Sequence, residues 1–266
     1  MLDVEFAQFS DVGRVRDHNE DFIGYAAPIT PDDARSRGWL FALADGVGGQ
    51  DLGEVASRAA VESVIAHFRD SVRGEAHSLL LPRLVQAANG EVHDAGLAAN
   101  PSGSTIATTL VLCGIRFDRA VVCHVGDSRC YLIRHGRATA LTTDHTVANE
   151  QLRLGLLSTR EAGDVATKHL LSRSLGSELF VNPDTSEHHI AVGDLLLLCS
   201  DGFHGSVGQT EIARLATEAS DLNAAARKMV AVANERDGSD NISVQLIRVR
   251  GIERVGMYRG RPYSLK

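Results

Sequence analysis

The chain has 266 residues, 44% of them hydrophobic, and a formal net charge of −7. That is enough apolar material for one large domain with a sizeable core, and nothing in the composition demands two. The acidic balance, with no Lys/Arg-rich run and no interleaved aromatic stripe, excludes a nucleic-acid surface, and no apolar stretch approaches the roughly 20 residues that span a bilayer.

The start of the chain, Met1-Leu2-Asp3-Val4-Glu5, lacks the basic and apolar regions of a signal peptide, so a cytoplasmic chain is expected. The first strong element is Leu40-Phe41-Ala42-Leu43-Ala44, a short apolar run that ends at Asp45-Gly46 and reads as a buried strand. Two helical stretches follow. From Glu54 to about Val72, Ala56, Ala60, Val64 and Phe68 recur at four-residue spacing, and from Leu79 to Ala99 so do Leu80, Leu84 and Ala88. Such a pair predicts an antiparallel helical layer.

Ser104 to Ile115 and Arg119 to Val125 read as adjacent strands, the second running into Gly126-Asp127. Tyr131-Leu132-Ile133, turning at His135-Gly136, predicts a hairpin with Ala138 to Leu141. Residues 146–182 are polar, helix-prone and interrupted by Gly155, Gly163 and Gly176, with a capping box at Ser158-Thr159-Arg160-Glu161, and predict an inserted helical flap. Leu195 to Cys199 is a strand that stops at Ser200-Asp201, Arg214-Leu215 and Leu222 to Asn234 supply a second helical layer, and Ile242 to Ile247 alternates as a strand with one buried face.

Strands follow one another without crossover helices, so the sheets are expected to be mostly antiparallel. Residues 1–250 form one domain and 251–266, Gly- and Arg-rich, a tail lying loosely on the surface. Cys113, Cys123, Cys130 and Cys199 sit in strand-like segments without a C-x-x-C pair and read as buried reduced thiols, not zinc ligands.

Five separated stretches place an aspartate beside glycine or asparagine: Asp21 in Asn19-Glu20-Asp21, Asp45-Gly46, Gly126-Asp127, Asp201-Gly202 and Asp240-Asn241. A carboxylate costs several kcal/mol to hold in a packed site unless it is paired or metal-bound. Carboxylates at strand tips therefore suggest a site for a hard metal.

Arg16-x-x-Asn19-Glu20-Asp21, Asp45-Gly46-Val47-Gly48-Gly49, Gly103-Ser104-Thr105, Val125-Gly126-Asp127-Ser128-Arg129, Cys199-Ser200-Asp201-Gly202 and Asp240-Asn241-Ile242, in this order, resemble the motifs of the metal-dependent protein serine/threonine phosphatases, the protein phosphatase 2C-like (PPM) family. The resemblance spans residues 5–249 and is greatest to the bacterial branch. It implies an α+β fold, a four-layer sandwich of two antiparallel β-sheets flanked by pairs of antiparallel helices. It further implies hydrolysis of phosphoserine and phosphothreonine on proteins, opposing a bacterial kinase, with two or three Mn²⁺ or Mg²⁺ ions whose bridging water becomes the nucleophile.

By the same resemblance Asp45 bridges both metals, the Gly46 carbonyl binds one, and Asp201 with Asp240 holds the other. Glu20 acts through a metal-bound water, Asp21 orders the neighbouring shell, and Arg16 grips the substrate phosphate; the plain alternative for Arg16 is a surface arginine. Asp127 with Asp201 binds a weaker third metal near the flap, the alternative being that Asp127 only caps its turn. His169 is a further candidate ligand, or else a surface or packed residue.

One position departs from the family. Many members carry a histidine directly after the Asp-Gly pair, where Val47 stands here. Valine transfers no proton, so leaving-group protonation is expected to fall to a metal-bound water, with His145 a remote candidate. Phosphorylated proteins and a cognate kinase are the expected partners of a monomer. Two other functions fit the same residues: a catalytically silent phosphoprotein-binding module, which would be expected to lose metal aspartates where this chain keeps them, and a phosphatase of an anti-sigma-factor antagonist.

Overall fold

The expected apolar strands are buried on both faces. In β3 (Trp39–Val47), Phe41 and Leu43 point into a core between two sheets, whereas Leu40, Ala42 and Ala44 point into a second core beneath helices. In β10 (Leu195–Cys199), Leu196 and Leu198 face the first of these cores and Leu195, Leu197 and Cys199 face a third. Side chains alternate faces along a strand, so a strand sandwiched between layers reads as a continuous apolar run. Each large side chain so buried contributes about 1.5–3 kcal/mol.

The structure, a computed structural model, describes residues 2–47, 52–99, 106–158, 161, 169–218, 221–253, 255–258 and 261–264. One sheet has the order β1 (Asp3–Asp11), β11 (Ile242–Gly251), β10, β7 (Arg129–Arg134), β8 (Arg137–Ala140). The other runs β2 (Asp21–Ala26), β3, β5 (Leu110–Arg116), β6 (Arg119–Val125), β9 (Asp184–His189), with β4 (Ala107–Thr108) paired to the end of β3. Every pairing is antiparallel.

Helices α2 (Gly53–Arg69) and α3 (His77–Ala99) pack on the six-stranded sheet through Ala60, Val64, Leu84 and Ala88. On the five-stranded sheet lie α5 (Asp201–His204), α6 (Gln209–Glu218) and α7 (Leu222–Arg236), through Phe203, Ile212 and Met229. The result is the expected four-layer α+β sandwich. All four cysteines are buried and free. No helix among the described residues is long and apolar enough to cross a membrane.

The hairpin β7–β8 turns at His135 and Gly136, with φ of 51° and 72°. Two consecutive positive φ angles match the right-handed twist of the flanking strands, which is why a glycine follows there. The capping box is present: Glu161 Oε2 accepts from Ser158 N at 2.8 Å, and Ser158 Oγ accepts from Glu161 N at 3.3 Å.

Several elements differ from expectation. The outer strands β1, β2 and β9 carry little apolar alternation and escape a reading based on burial, as does the short helix α1 (Pro31–Ser36), despite its Thr30 cap. Asp21 opens β2 instead of following a strand, whereas Asp45, Asp127 and Asp201 lie at strand ends and Asp240 leads into β11 as the run from Ile242 predicts. The 146–182 stretch holds α4 (Val147–Arg153) and returns beside the site, with 159–160 and 162–168 outside the described residues. The tail holds a separate hairpin, β12 (Val255–Tyr258) with β13 (Arg261–Ser264).

Candidate metal centre

Sheet register brings the acids together. Asp21 at the start of β2 stands directly opposite Asp45 near the end of β3. In the facing sheet, Cys199 pairs with Val244 and Ser200 N donates to Ser243 O at 3.1 Å, which places Asp201 and Asp240 at the same edge. The turn after β6 adds Asp127, its direction set by Gly126 at φ 99°, a conformation a side chain disfavours.

These ends border an open cavity of about 490 Å³. Arg16, Glu20, Asp45, Gly46, Asp127, Asp201, Asp240 and His169 all line it, and Asp21 is buried alongside. Val47, Leu170 and Leu171 give it an apolar border, with Val47 46% exposed. Gly46 has no room for a side chain: a Cβ there would lie 2.2 Å from the Gly53 carbonyl oxygen. The start of α2 thereby approaches closely enough for Gly53 N–H to reach the Glu20 carboxylate.

The electrostatics of the unneutralised cluster are unfavourable. Burial, then Asp21, Asp201, Asp127 and Asp240, raises the Asp45 carboxyl well above the usual range. Burial pushes Asp21 up to about 7, with Asp201 and Asp240 adding to it against the Ser243 and Ser200 hydroxyls. Burial and then Asp201 and Asp144 push Asp127 to about 7 as well. Asp201 is held low: burial opposes this, but His169, His204 and a hydrogen bond from the Asp45 carboxyl outweigh it. Asp21 Oδ1 is buried without a hydrogen-bond partner.

Among the described residues lining the cavity, one guanidinium faces five carboxylates. Arg16 Nη2 donates to Asp240 Oδ2 at 2.9 Å, with the two side chains 44% and 36% exposed. A pair so exposed is worth about 0–1 kcal/mol, so Arg16 is available to exchange Asp240 for an incoming phosphate. Oxygen donors with uncompensated negative charge fit hard divalent cations such as Mg²⁺ and Mn²⁺. Asp127, His169 and Asp201 form a subset whose ligand atoms lie within 4.8 Å of one another.

Several supporting residues were not singled out by sequence. Thr109 Oγ1 accepts from Asp45 N at 2.9 Å and pairs with Ser128 Oγ at 2.7 Å, tying β3 to the Asp127 turn, while Thr108 Oγ1 donates to Asp45 O at 2.8 Å. Asn241 Oδ1 accepts from Glu20 N at 2.8 Å, and its Nδ2 donates to Val12 O and His18 O, pinning the loop that carries Arg16. Ser200 Oγ donates to Asp21 Oδ2 at 2.8 Å. Ser128, Ser200 and Asn241 stand inside the motifs that carry the family resemblance, and paired threonines beside an otherwise apolar strand were the signal for Thr108 and Thr109. The Gly103-Ser104-Thr105 motif lies outside the described residues. His145 is buried and does not line the cavity, so it is not placed to protonate a leaving group.

The family model for protein phosphatase 2C matches residues 29–246. A serine/threonine phosphatase (stp) of Listeria innocua is 32% identical over 96% of this chain and 98% of its own length. The serine/threonine phosphatase PstP/Ppp of Mycobacterium tuberculosis superposes with a TM-score of 0.82 at 29% identity, over 94% of this chain and 100% of the other. The catalytic domain of the phosphatase PstP, solved in complex with two manganese ions, gives 0.80 at 31% identity, over 94% and 100%. The chain belongs to the protein phosphatase 2C family, the metal-dependent protein serine/threonine phosphatases.

Proposed function

We propose that this phosphatase holds two Mn²⁺ or Mg²⁺ ions through Asp45, the Gly46 carbonyl, Asp201 and Asp240, with Glu20 reaching one through water. Asp127, Asp201 and His169 take a weaker third ion. Cations bound there acidify water and offset the charge of the phosphate. The chain's own residues do the rest. Arg16 releases Asp240 and grips two phosphate oxygens of a phosphoserine or phosphothreonine with its planar fork. Thr108, Thr109 and Asn241 keep the acids in place by fixing their backbones, and Asp21 with Ser200 supports the shell behind them. Val47 presents a methyl surface to the cavity and moves no proton, so the leaving oxygen takes its proton from water.

One observation carries this reading: five carboxylates and one arginine converge on a single open cavity, with Asp45 and Asp127 buried among like charges that bound cations would relieve at neutral pH. The enzyme works as a cytoplasmic monomer opposing a serine/threonine kinase. Incubating the protein with a phosphothreonine peptide, with Mn²⁺ and with excess chelator, tests it. Phosphate release with Mn²⁺ and none with chelator is expected; turnover undiminished in chelator overturns the metal mechanism, and binding of the peptide without release under both conditions favours a silent module.

A further inference from the structure

Asp144-His145 grips both ends of the turn that carries Asp127. The Asp144 carboxylate accepts two hydrogen bonds from Arg129, at 2.8 and 2.6 Å. His145 holds Gly126 twice: its N–H donates to Gly126 O at 3.0 Å, and its ring Nδ1 accepts from Gly126 N at 3.2 Å. The other side of His145 holds the limb that follows His169. Ser172 N donates to His145 O at 2.9 Å, Val147 N to Leu170 O at 2.9 Å, and Thr146 bridges Leu171. Arg173 then pairs with Asp184 at 2.9 Å.

The ring is buried and stacked on His124, with centroids 4.6 Å apart. Nδ1 accepts a hydrogen bond, so the proton must sit on Nε2, which makes no hydrogen bond and faces Asp184 Oδ2 at 3.4 Å. His124, His145 and Asp184 do bring ligand atoms within 4.8 Å of one another. A metal there would need the Nε2 lone pair, which the Gly126 hydrogen bond denies it. The cluster is a strut.

We propose that His145 is a positioning residue that locks Asp127 to the limb of residues 169–173, so that the weaker cation site and that limb move as one unit. This rests on the reading that Asp127, His169 and Asp201 bind a cation. Outer-shell partners of ligands typically change metal affinity 10–100-fold when removed.

Calorimetric Mn²⁺ titration of the full chain compares wild type, His145→Phe and His145→Asn. Asparagine keeps an acceptor oxygen where Nδ1 stands. Wild type is expected to bind two ions tightly and one weakly; His145→Phe weakens the third about 10-fold with the first two unchanged, and His145→Asn recovers most of the loss. Nitrogen-15 NMR of the metal-free protein should show His145 protonated at Nε2. Hydrogen exchange at amides 170–173 should slow when the weak site fills in wild type, and not in His145→Phe. If wild type binds only two ions, the third-site reading fails and takes this inference with it. If it binds three and His145→Phe binds them equally well, or if His145→Asn recovers nothing, the inference alone fails. Should His145→Phe not fold, Asp184→Ala replaces it: removing the carboxylate that faces Nε2 and holds Arg173 should weaken the third ion, and unchanged affinity overturns the proposal.

Discussion

Replacing Asp127 with asparagine separates the cost of the acidic cluster from its use. In the fold Asp127 rises from 3.8 to about 7, from burial first and then from Asp201 and Asp144. A carboxyl raised in this way binds its proton more tightly in the native state, so its contribution is fully present below pH 3.8 and is lost as pH climbs through about 7. A rise of that size corresponds to about 4 kcal/mol of penalty at pH 8 and about 2 kcal/mol at pH 5. His77, His145 and His204, each lowered to about 4 chiefly by burial, act in the opposite sense and lose stability as pH falls below 6.5. The difference between wild type and Asp127→Asn cancels these histidines. Urea unfolding in excess chelator is expected to show the variant more stable at pH 8 by up to about 4 kcal/mol, with the gap narrowing by about 2 kcal/mol at pH 5. Adding Mn²⁺ at pH 8 narrows the gap by about 2–3 kcal/mol once free Mn²⁺ reaches about 100 times the weak site's Kd, because only the wild-type carboxylate gains that cation. A gap that ignores pH, or a wild type that is the more stable in chelator at pH 8, would refute the electrostatic reasoning.

Four other outcomes are expected. Asp240→Asn lowers kcat/KM by about 100-fold or more and weakens Mn²⁺ binding; wild-type rates would remove Asp240 from the site. Arg16→Ala raises KM for a phosphopeptide about 10-fold with ion stoichiometry unchanged, since a phosphate clamp is lost and Asp240 is merely freed; an unaltered KM counts against the clamp. Val47→His speeds phosphoserine peptide hydrolysis more than that of p-nitrophenyl phosphate, whose leaving group needs no proton, within the roughly 10²–10⁴-fold of positioned acid catalysis; equal effects mean position 47 does not face the leaving group. Gly46→Ala, whose Cβ would meet Gly53 O at 2.2 Å, costs about 2–4 kcal/mol in urea unfolding, and a loss below about 0.5 kcal/mol means that β3 and α2 do not pack as described.

The buried strands and the long helices were legible because burial writes itself into composition: β3, β6, β10 and β11 are apolar on the faces they hide, and α2 and α3 repeat small and apolar residues on the side they pack. The strands β1 and β2 were not, because their half-exposed side chains satisfy no single period. Sequence by itself marked out the acids, since Asp45, Asp127, Asp201 and Asp240 each stand at a turn next to a strand where a ligand or a cap is what justifies a carboxylate, and the fold brings them to one cavity. Only the tertiary structure decided who supports them. That Thr109 meets Ser128, that Asn241 anchors Glu20, and that His145 grips Gly126 and not a substrate depend on strands far apart in the chain being hydrogen-bonded in one register, and local sequence carries no trace of that pairing.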